Sequence, residues 1–348
     1  MNQDVRVSVI TVTFNAIGNG RRVFLEQNFR SVHRQTLEGV EHLVIDGGST
    51  DGTVDLLRRY AKKGWIKYLS EPDEGIYDAM NKGLRMASGK YVAFLNSDDW
   101  WYNPVGLAES YAALERAQAD FSFAPSYTTT AQGRPFQRVP TCIGSVLFKM
   151  PFCHQTMLTR RDRMLELGGF DIANFHNAAD YDLILRLCLQ GARFAYVPRN
   201  FTAYRDGGFS VKARAESLAE CVKSLQMHYA MISPGFTQEA AARAFSDHIL
   251  PTPVFEAALN AVSDDVREQV LAQRHRIENG SVSFDLGDYS NPVQVNDIDP
   301  LYPIPFMIRR HSLKVGGMPV LRVIDRTDAR IIKLMGIPVF KRKRREIS

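Results

Sequence analysis

The sequence is poor in cysteine and contains no long uninterrupted apolar run. Its few thiols are those of Cys142, Cys153, Cys188 and Cys221. They lack the paired spacing typical of zinc ribbons and redox motifs, so we expect reduced thiols in a cytoplasmic protein. No apolar stretch approaches the ~20 residues that span a bilayer, and the N-terminal segment lacks a cleavage-site pattern. The sequence therefore predicts neither a transmembrane helix nor a signal peptide.

The chain also lacks a large excess of charge of one sign. Its 348 residues carry a formal net charge of +5, and 45% are hydrophobic and 23% charged, as in ordinary globular proteins. Much of the excess lies in the run KRKRR at residues 341–345, so the charge does not indicate a nucleic-acid-binding domain. That run is either a solvated tail or a patch attracted to anionic lipid, to which each basic residue adds about 1 kcal/mol.

Two phosphate-binding motifs are incomplete. Gly18 and Gly20 follow the first predicted strand, but the third glycine of the dinucleotide fingerprint is missing. Residues 83–90 resemble a phosphate-binding loop, but five residues separate the glycines and Tyr91 replaces the required serine or threonine. The sequence therefore disfavours a nicotinamide enzyme and a P-loop kinase.

Strand-like and helical segments alternate through the N-terminal half. The predicted strands cover residues 5–14, 40–45, 65–70 and 91–95, and the predicted helices cover residues 22–34 and 53–63 and a segment with apolar residues at Ile76, Met80, Leu84 and Ala87. Such alternation predicts an α/β fold with a mainly parallel sheet flanked by helices. Ligands bind beyond the carboxyl ends of the strands in such sheets.

From about Lys212 the pattern becomes helical. We expect helices over residues 212–232, 237–250 and 253–278, and a basic amphipathic helix over residues 325–335. The last helix either packs on the rest of the protein or docks on a membrane beside the run at 341–345. We see no internal repeat. These patterns predict a domain over residues 1–210 and a mainly helical C-terminal extension over residues 211–348.

Carboxylates lie where the predicted ligand edge should be. Asp98 and Asp99 follow a buried strand directly and offer the hard oxygen ligands that Mg2+ and Mn2+ prefer. They could instead cap a turn. Asp46 ends the second strand, before a glycine turn in which Asp51 reads as a helix cap. The pattern indicates a nucleotide diphosphate site.

A further carboxylate, Asp180, shares a helix face with Ile184 and Leu187. Burial there would raise its pKa and suit it to general-base catalysis. The structural alternative for Asp180 is an N-terminal acid that interacts with the helix dipole, a role that fits Asp182 at least as well. Asp182 and Arg186 would form an ordinary surface ion pair.

Two other segments have open interpretations. His154, beside Gln155, is either a core histidine or a ligand contact. The loop of residues 207–210 is either a connector or a lid over a ligand.

Together these segments resemble the family 2 glycosyltransferases over roughly residues 5–210. The resemblance lies in VSVITVTFNA, HLVIDGGSTDGT, SEPDEGIYDAMNKGLRMASGKYVAFLNSDDWW, FCHQTMLTRRDRMLELGGFD, AADYDLILRL and GGFS. It implies a GT-A (Rossmann-like) fold and a metal-dependent, inverting hexosyltransferase. The enzyme would move a sugar from a nucleotide-diphosphate sugar, most often a UDP-sugar, to a glycan or polyprenol-linked acceptor of bacterial surface polysaccharide. This implies a cytoplasmic protein that contacts the inner face of the membrane peripherally.

The resemblance also implies roles for single residues. Asp46 would contact the nucleotide base, Asp180 would be the catalytic base, and Asn96-Ser97-Asp98 would take the place of the family's DxD motif, with an amide for the first carboxylate. The implied nucleotide-sugar contacts are Thr13, Asn15, Asp46, Asp78, Asn81, Asn96, Ser97 and Asp98. The implied ligands of Mn2+ or Mg2+ are Asp98 and Asp99. The implied acceptor or diphosphate contacts are His154, Gln155 and Ser210.

Two rival functions remain at the level of the sequence. A sugar nucleotidyltransferase should carry a glycine-rich basic loop after the first strand, for which only Arg21 and Arg22 stand in here. A nucleotide-sugar-binding scaffold with a degenerate site is the other rival, and Asn96 is the hint for it. Such a scaffold would bind nucleotide without turning it over.

Overall fold

A computed structural model of the chain describes residues 4–129, 141–199, 202–205 and 213–278, and the backbone of five strands at 135–139, 309–315, 318–325, 329–334 and 337–343. Its helices are α1 (Arg22–His33), α2 (Thr53–Lys62), α3 (Ile76–Met86), α4 (Gly106–Ala117), α5 (Arg161–Glu166), α6 (Ala179–Leu189), α7 (Arg214–Ile232), α8 (Gln238–Asp247), α9 (Thr252–Ala261) and α10 (Asp264–Glu278). Short 3-10 helices cover Ile143–Ser145 and His154–Thr156.

The strands form three sheets. They are β1 (Val7–Thr13), β2 (Val40–Asp46), β3 (Lys67–Ser70), β4 (Tyr91–Phe94), β5 (Trp100–Trp101), β6 (Phe121–Phe123), β7 (Ser126–Thr129), β8 (Pro135–Val139), β9 (Leu158–Arg160), β10 (Phe194–Tyr196), β11 (Thr202–Arg205), β12 (Arg309–Val315), β13 (Met318–Asp325), β14 (Ala329–Leu334) and β15 (Ile337–Lys343). The central sheet has the order β10-β6-β9-β4-β1-β2-β3, in which β9 runs antiparallel to both of its neighbours and the other pairs are parallel. A second sheet has the order β5-β11-β7-β8.

Apolar side chains cover the central sheet on both faces. Along β1, Val7 and Val9 join one buried cluster and Ile10 and Val12 another, as the alternation of a strand requires. β1, β2 and β4 are buried almost throughout their length, as central parallel strands covered on both faces are. Gly83 lets α3 lie close to β1, because a Cβ there would stand 2.4 Å from Ile10 Cγ2. The predicted mainly parallel sheet is confirmed.

The helices after residue 213 share a core with the central sheet. Leu225, Tyr229, Ala241, Phe255 and Val266 belong to the same buried cluster as Ile10 and Phe94. The predicted helices at 212–232 and 237–250 are confirmed with shorter ends, and the one predicted at 253–278 is two helices, α9 and α10. Among the described residues, no helix has the length and apolar character needed to cross a membrane.

The predicted amphipathic helix at 325–335 is wrong. That segment contributes the end of β13 and all of β14 to a four-stranded antiparallel sheet, β12-β13-β14-β15. Its apolar positions fit a period of 2 as well as 3.6, and the β-branched pair Ile331-Ile332 favours a strand. Only the part of the run 341–345 that ends β15 is described.

The absence of an internal repeat was also a wrong expectation. Two hairpins, β12–β13 and β14–β15, each have a register shift immediately before a lysine, Lys314 and Lys333. Those lysines pair with Pro319 and Pro338. The matching sequences LKVGGMPV and IKLMGIPV therefore form equivalent hairpins.

Candidate active site

Three strands end at one level of the central sheet. Thr13 of β1 pairs with Asp46 of β2, and Asp46 pairs with Ser70 of β3. Asp46 is fully buried, and its carboxylate accepts hydrogen bonds from Ser49 N (2.9 Å), Ser70 Oγ (2.7 Å) and Gly48 N (3.2 Å). These contacts hold the glycine turn after β2 in place. Thr13 Oγ1 is buried and has no hydrogen-bond partner.

Asn15 joins the loop after β1 to the loop after β2. Its backbone lies in the left-handed region, with φ 45°, which asparagine tolerates better than most residues. Its N–H donates to Ser49 Oγ (2.7 Å), and its side-chain oxygen accepts from Thr50 N (3.0 Å). The two loops therefore form one wall of the site.

The turn after β4 carries the carboxylates. Asp99 N donates to Asn96 O (3.0 Å), and the side-chain amide of Asn28 donates to Asn96 O (2.9 Å) and Asp99 O (3.1 Å). Asn28 is fully buried on α1, so this helix fixes the turn. Asn96 Oδ1 is a buried oxygen without a hydrogen-bond partner, and Ser97 is partly buried in the same turn.

Asp98 and Asp99 have different surroundings. Asp98 is 15% exposed and its Oδ2 lies 3.3 Å from Arg21 Nη1. Asp99 is 1% exposed and accepts a hydrogen bond from Arg205 N (2.6 Å). Burial, together with the negative charge of Asp98, raises the pKa of Asp99 well above its usual value. A carboxyl group that favours its proton is a poor metal ligand, so Asp98 is the better candidate of the two.

Arg205 supports this turn from β11. Its Nε donates to Asp98 O (2.9 Å), and its guanidinium lies 3.8 Å from the centre of the Phe24 ring and 4.7 Å from that of Trp100. Arg205 therefore links the second sheet to the carboxylates of the central sheet.

The 3-10 helix at His154–Thr156 connects this turn to Asp180. Gln155 Oε1 accepts from Asn96 N (2.9 Å), and His154 Nδ1 lies 2.9 Å from Asp180 Oδ2. Both His154 Nε2 and Gln155 Nε2 are buried without a hydrogen-bond partner.

Asp180 lies in the first turn of α6 and is held by three donors. Besides His154, its Oδ1 accepts from Tyr181 N (2.9 Å) and from Tyr77 Oη (3.1 Å) on α3. Burial tends to raise the pKa of Asp180, but the hydrogen bond and charge of His154, with the other two donors, bring it below the usual value. The expectation of a raised pKa was therefore wrong.

The predicted apolar face of α6 is confirmed. Asp180 and Ile184 line the same mostly apolar cavity beside His154, together with Phe94, Met157, Thr159, Met164, Phe170 and Leu183. Burial in this cavity alone would raise the pKa of Asp180, but the hydrogen bonds from the side chains of His154 and Tyr77 help to lower it.

The sequence predicted a surface ion pair between Asp182 and Arg186. The pair forms, but Asp182 is buried. Its carboxylate is 1% exposed and pairs with Arg186 (2.7 Å) and with His228 of α7 (2.7 Å). Ser224 Oγ also donates to it at 3.1 Å. Asp182 therefore joins α6 to α7, and the helix pattern alone could not show the partner helix.

The two polar residues predicted on α3 are placed differently. Asp78 accepts from Glu74 N (3.1 Å) and pairs with Lys82 (3.4 Å). Asn81 is buried, and its amide donates to Phe170 O (2.8 Å) and accepts from Phe170 N (2.9 Å). Because both the oxygen and the nitrogen of the Asn81 amide are bonded to Phe170, Asn81 joins α3 to the segment before α6. Ser210 lies outside the described residues.

The residues around the turn fit a divalent cation that is shared with a ligand. Among the described residues, no three His, Cys, Asp or Glu side chains gather into a metal site. Asp98 and the unpartnered oxygen of Asn96 are hard oxygen donors, and Mg2+ commonly binds with one or two carboxylates plus substrate phosphates. Such a cation would need the phosphates of the ligand to complete its coordination.

Sequence reasoning missed four residues of this region: Arg21, Asn28, Tyr77 and Arg205. Each contacts a site residue 68 or more positions away in the sequence, and Tyr77 and Asp180 are 103 positions apart. No local pattern marks such pairs. Arg21 did stand out in the sequence as a basic residue after the first strand, but for a different enzyme class.

The fold and this arrangement define an α/β protein whose candidate site lies at the carboxyl edge of its central sheet. The pattern described as Glycosyl transferase family 2 matches residues 8–168. An uncharacterized glycosyltransferase of Mycobacterium tuberculosis is 34% identical over 187 residues, which cover 53% of this chain and 69% of that protein. The chain belongs to glycosyltransferase family 2.

Two further similarities extend this result. TuaG of Bacillus subtilis, a glycosyltransferase provisionally assigned to teichuronic acid biosynthesis, is 39% identical over 136 residues, 38% of this chain and 51% of TuaG. The crystal structure of Staphylococcus aureus TarS 1–349 in complex with UDP-GlcNAc superposes with a TM-score of 0.51 at 15% identity, covering 92% of this chain and 96% of that one. The expected GT-A fold is confirmed.

Proposed function

We propose that this glycosyltransferase moves a sugar from a nucleotide-diphosphate sugar, a UDP-sugar in the first instance, to an acceptor hydroxyl with inversion. The acceptor is a glycan or a polyprenol-linked glycan of bacterial surface polysaccharide. The single observation that carries the proposal is the short path from Asp98 through Asn96, Gln155 and His154 to Asp180. It sets a candidate base beside a candidate diphosphate site. The similarity to TuaG supports the polysaccharide context, and the similarity to TarS supports UDP.

Asp180 is the proposed base. Its lowered pKa keeps the carboxylate ionised at neutral pH, so it can accept the proton of the acceptor hydroxyl as that oxygen bonds to the anomeric carbon. The bond from the anomeric carbon to the diphosphate breaks in the same step, and the nucleoside diphosphate leaves. His154 and Tyr77 orient the carboxylate for this transfer. Burial and Asp180 raise the pKa of Tyr77 well above its usual value, so Tyr77 stays a donor.

The other residues are proposed to hold the donor. Asp46 and the loops fixed by Asn15 form the wall for the base and ribose, and Thr13 Oγ1 has hydrogen-bonding capacity free. Asp98 and Asn96 would hold Mg2+ or Mn2+ together with the diphosphate. A bound cation there supplies positive charge that stabilises the leaving diphosphate.

The test is nucleoside-diphosphate release from a panel of UDP-, GDP- and dTDP-sugars with Mn2+, Mg2+ or EDTA. We expect metal-dependent release from one donor. Asp98→Ala and Asp180→Asn should each lower it at least about 100-fold, in the range that general-base loss produces. Asp162→Asn, which alters an exposed carboxylate of α5, is the control.

The outcomes separate the rival functions. Release of pyrophosphate would indicate a nucleotidyltransferase instead, and tight binding of a nucleoside diphosphate without turnover, in the presence of acceptor glycolipids, would indicate a scaffold. Formation of an α-linked product from an α-linked donor would contradict inversion.

We also propose a peripheral contact between the basic run at 341–345 and the inner face of the cytoplasmic membrane. The run supplies five positive charges in five residues, and each adds about 1 kcal/mol of attraction near an anionic surface. Cosedimentation with anionic vesicles should fall as salt rises and should be lost when the five residues become serine. Binding that is insensitive to salt, or no binding at low salt, would contradict this contact.

A further inference from the structure

Arg21 lies against the carboxylate that the metal would need. It precedes α1, and its backbone is fixed because Arg21 N donates to Ala16 O (2.7 Å) while Arg21 O accepts from Phe24 N and Leu25 N (both 3.0 Å). Its guanidinium reaches across to Asp98, with Nη1 3.3 Å from Oδ2. The loop before α1 therefore holds the positively charged guanidinium of Arg21 at the carboxyl edge of the sheet.

Asp98 is the accessible carboxylate of this turn. Position 96 is an amide, and Asp99 is 1% exposed and bonded to Arg205 N. A divalent cation arriving from solvent would therefore meet one accessible carboxylate, already paired with a guanidinium. Arg21 and the cation are attracted to the same negative charge, so each weakens the binding of the other.

A donor changes this balance, because its diphosphate brings more negative charge. Guanidinium groups bind phosphates through two parallel hydrogen bonds, and they bind carboxylates in the same way. The side chain of Arg21 is 37% exposed, so it is free to turn from Asp98 toward an incoming phosphate.

We propose that Arg21 exchanges partners during donor binding: it pairs with Asp98 in the free protein and with the donor's diphosphate once a divalent cation is bound at Asp98. This inference rests on the proposed function for the identity of the ligand. It makes Arg21 a donor-binding residue and makes metal and donor bind together. The chain alone binds the metal weakly, because Arg21 already neutralises the carboxylate.

The first test measures Mn2+ binding without nucleotide, from the electron paramagnetic resonance signal of free Mn2+. Arg21→Ala should bind Mn2+ about two- to fivefold more tightly than wild type, the range expected for removing an exposed ion pair. Arg22→Ala is the matched control, because Arg22 is the next residue and pairs with Glu26 on its own helix. We expect it to bind Mn2+ like the wild type.

The second test measures binding of UDP, GDP, dTDP and uridine by calorimetry in the presence of Mn2+. Arg21→Ala should weaken binding of the preferred nucleoside diphosphate about tenfold, as the loss of a charged hydrogen bond does. Binding of uridine should not change. Arg21→Lys keeps the positive charge but lacks the planar guanidinium. Its affinity for the nucleoside diphosphate should lie between those of wild type and Arg21→Ala.

In Arg21→Ala we expect tighter binding of Mn2+ and weaker binding of the nucleoside diphosphate. Damage to the fold would instead weaken the binding of both ligands. Unchanged Mn2+ binding in Arg21→Ala, or equal losses for UDP and uridine, would overturn the role of Arg21. If wild type releases nucleoside diphosphate in the same preparation, the transferase function stands despite that result. A wild type that binds neither Mn2+ nor any nucleoside diphosphate would overturn both proposals.

Discussion

At the scale of single residues, hydrogen-bond donors decide how the buried carboxylates titrate. Asp99 is 1% exposed and the side chain of Asp180 is 17% exposed, and the loss of contact with water raises the pKa of a carboxyl group. Three donors reverse that effect at Asp180, whereas Asp99 also faces the negative charge of Asp98 and keeps a raised pKa. The helix pattern located Asp180, but its pKa depends on His154 and Tyr77, which lie elsewhere in the sequence.

The pH dependence of the reaction should therefore depend on His154. A base must be ionised to act, so activity falls as pH drops through the pKa of Asp180. His154→Ala removes one donor and its charge, leaving burial less opposed, so the acidic limb of the kcat/KM profile should move to higher pH. A profile measured from the lowest pH at which the protein stays folded up to pH 9 checks this, with His33→Ala on α1 as the control. An acidic limb that stays in place would show that His154 does not act on Asp180.

Asn81 is a second residue whose contacts change its interpretation. Its amide bonds both backbone groups of Phe170. Asn81→Ala should lower the free energy of unfolding by about 2 kcal/mol, because it leaves two buried backbone groups without partners. Urea denaturation measures this loss. Nucleoside-diphosphate affinity should not change, and a selective loss of that affinity would restore Asn81 as a donor ligand.

At the scale of secondary-structure elements, one glutamate ties several strands together at the edge opposite the site. Glu41 of β2 accepts from Ser8 Oγ of β1 (2.6 Å) and from Ser88 N (2.8 Å) before β4, and pairs with Lys67 of β3 (2.9 Å). Although burial opposes ionisation, the donors Lys67, Ser8 and Ser88 lower the pKa of Glu41 from 4.5 to about 2. The carboxylate therefore stabilises the sheet in its ionised form.

Replacing Glu41 with glutamine should destabilise the protein at neutral pH and not in strong acid. The folded-state pKa lies below the unfolded value, so the stabilisation is complete above pH 4.5 and is lost as pH falls toward 2. Glu41→Gln should lower the free energy of unfolding by about 2 kcal/mol at pH 7. The difference from wild type should shrink below pH 4.5 in thermal unfolding curves. Glu166→Gln, at an exposed carboxylate of α5, is the comparison, and equal losses in the two variants would contradict this prediction.

At the scale of the whole molecule, the buried core extends beyond the predicted domain boundary. Helices α7 to α10 contribute Leu225, Tyr229, Phe255 and Val266 to the cluster that covers one face of the central sheet. The division into residues 1–210 and 211–348 stays a prediction. The shared core supports a catalytic unit that continues to residue 278.

Truncation tests that view. A chain of residues 1–278 should keep a single cooperative unfolding transition and donor hydrolysis, because it retains this core. A chain of residues 1–210 should aggregate or unfold, since it would expose the apolar face that α7 to α10 cover. Circular dichroism during heating and gel filtration measure both. A stable, monomeric 1–210 chain would support the predicted boundary at residue 210.

Sequence patterns predicted much of this molecule because its central sheet is locally encoded. β1 and β2 are rich in apolar β-branched residues, β4 is continuously apolar, and α3 has a clear helical period, so the predicted ends lay within a few residues of the observed ones. The C-terminal sheet was missed because residues 325–335 fit both periods. The split between α9 and α10 was missed because Val262 and Ser263, which interrupt the helix, are not strong breakers.

The sequence by itself determined the α/β fold and the edge of the sheet at which Thr13, Asp46 and Asp98 lie, because a strand's apolar run shows where it ends. Tertiary structure alone decided which groups meet there. Arg21 on Asp98, His154 and Tyr77 on Asp180, and Arg205 on Asp99 are contacts between distant segments. Burial and partners that only folding supplies set the charge of each carboxylate, so the chemistry of the site follows from the packing of its elements.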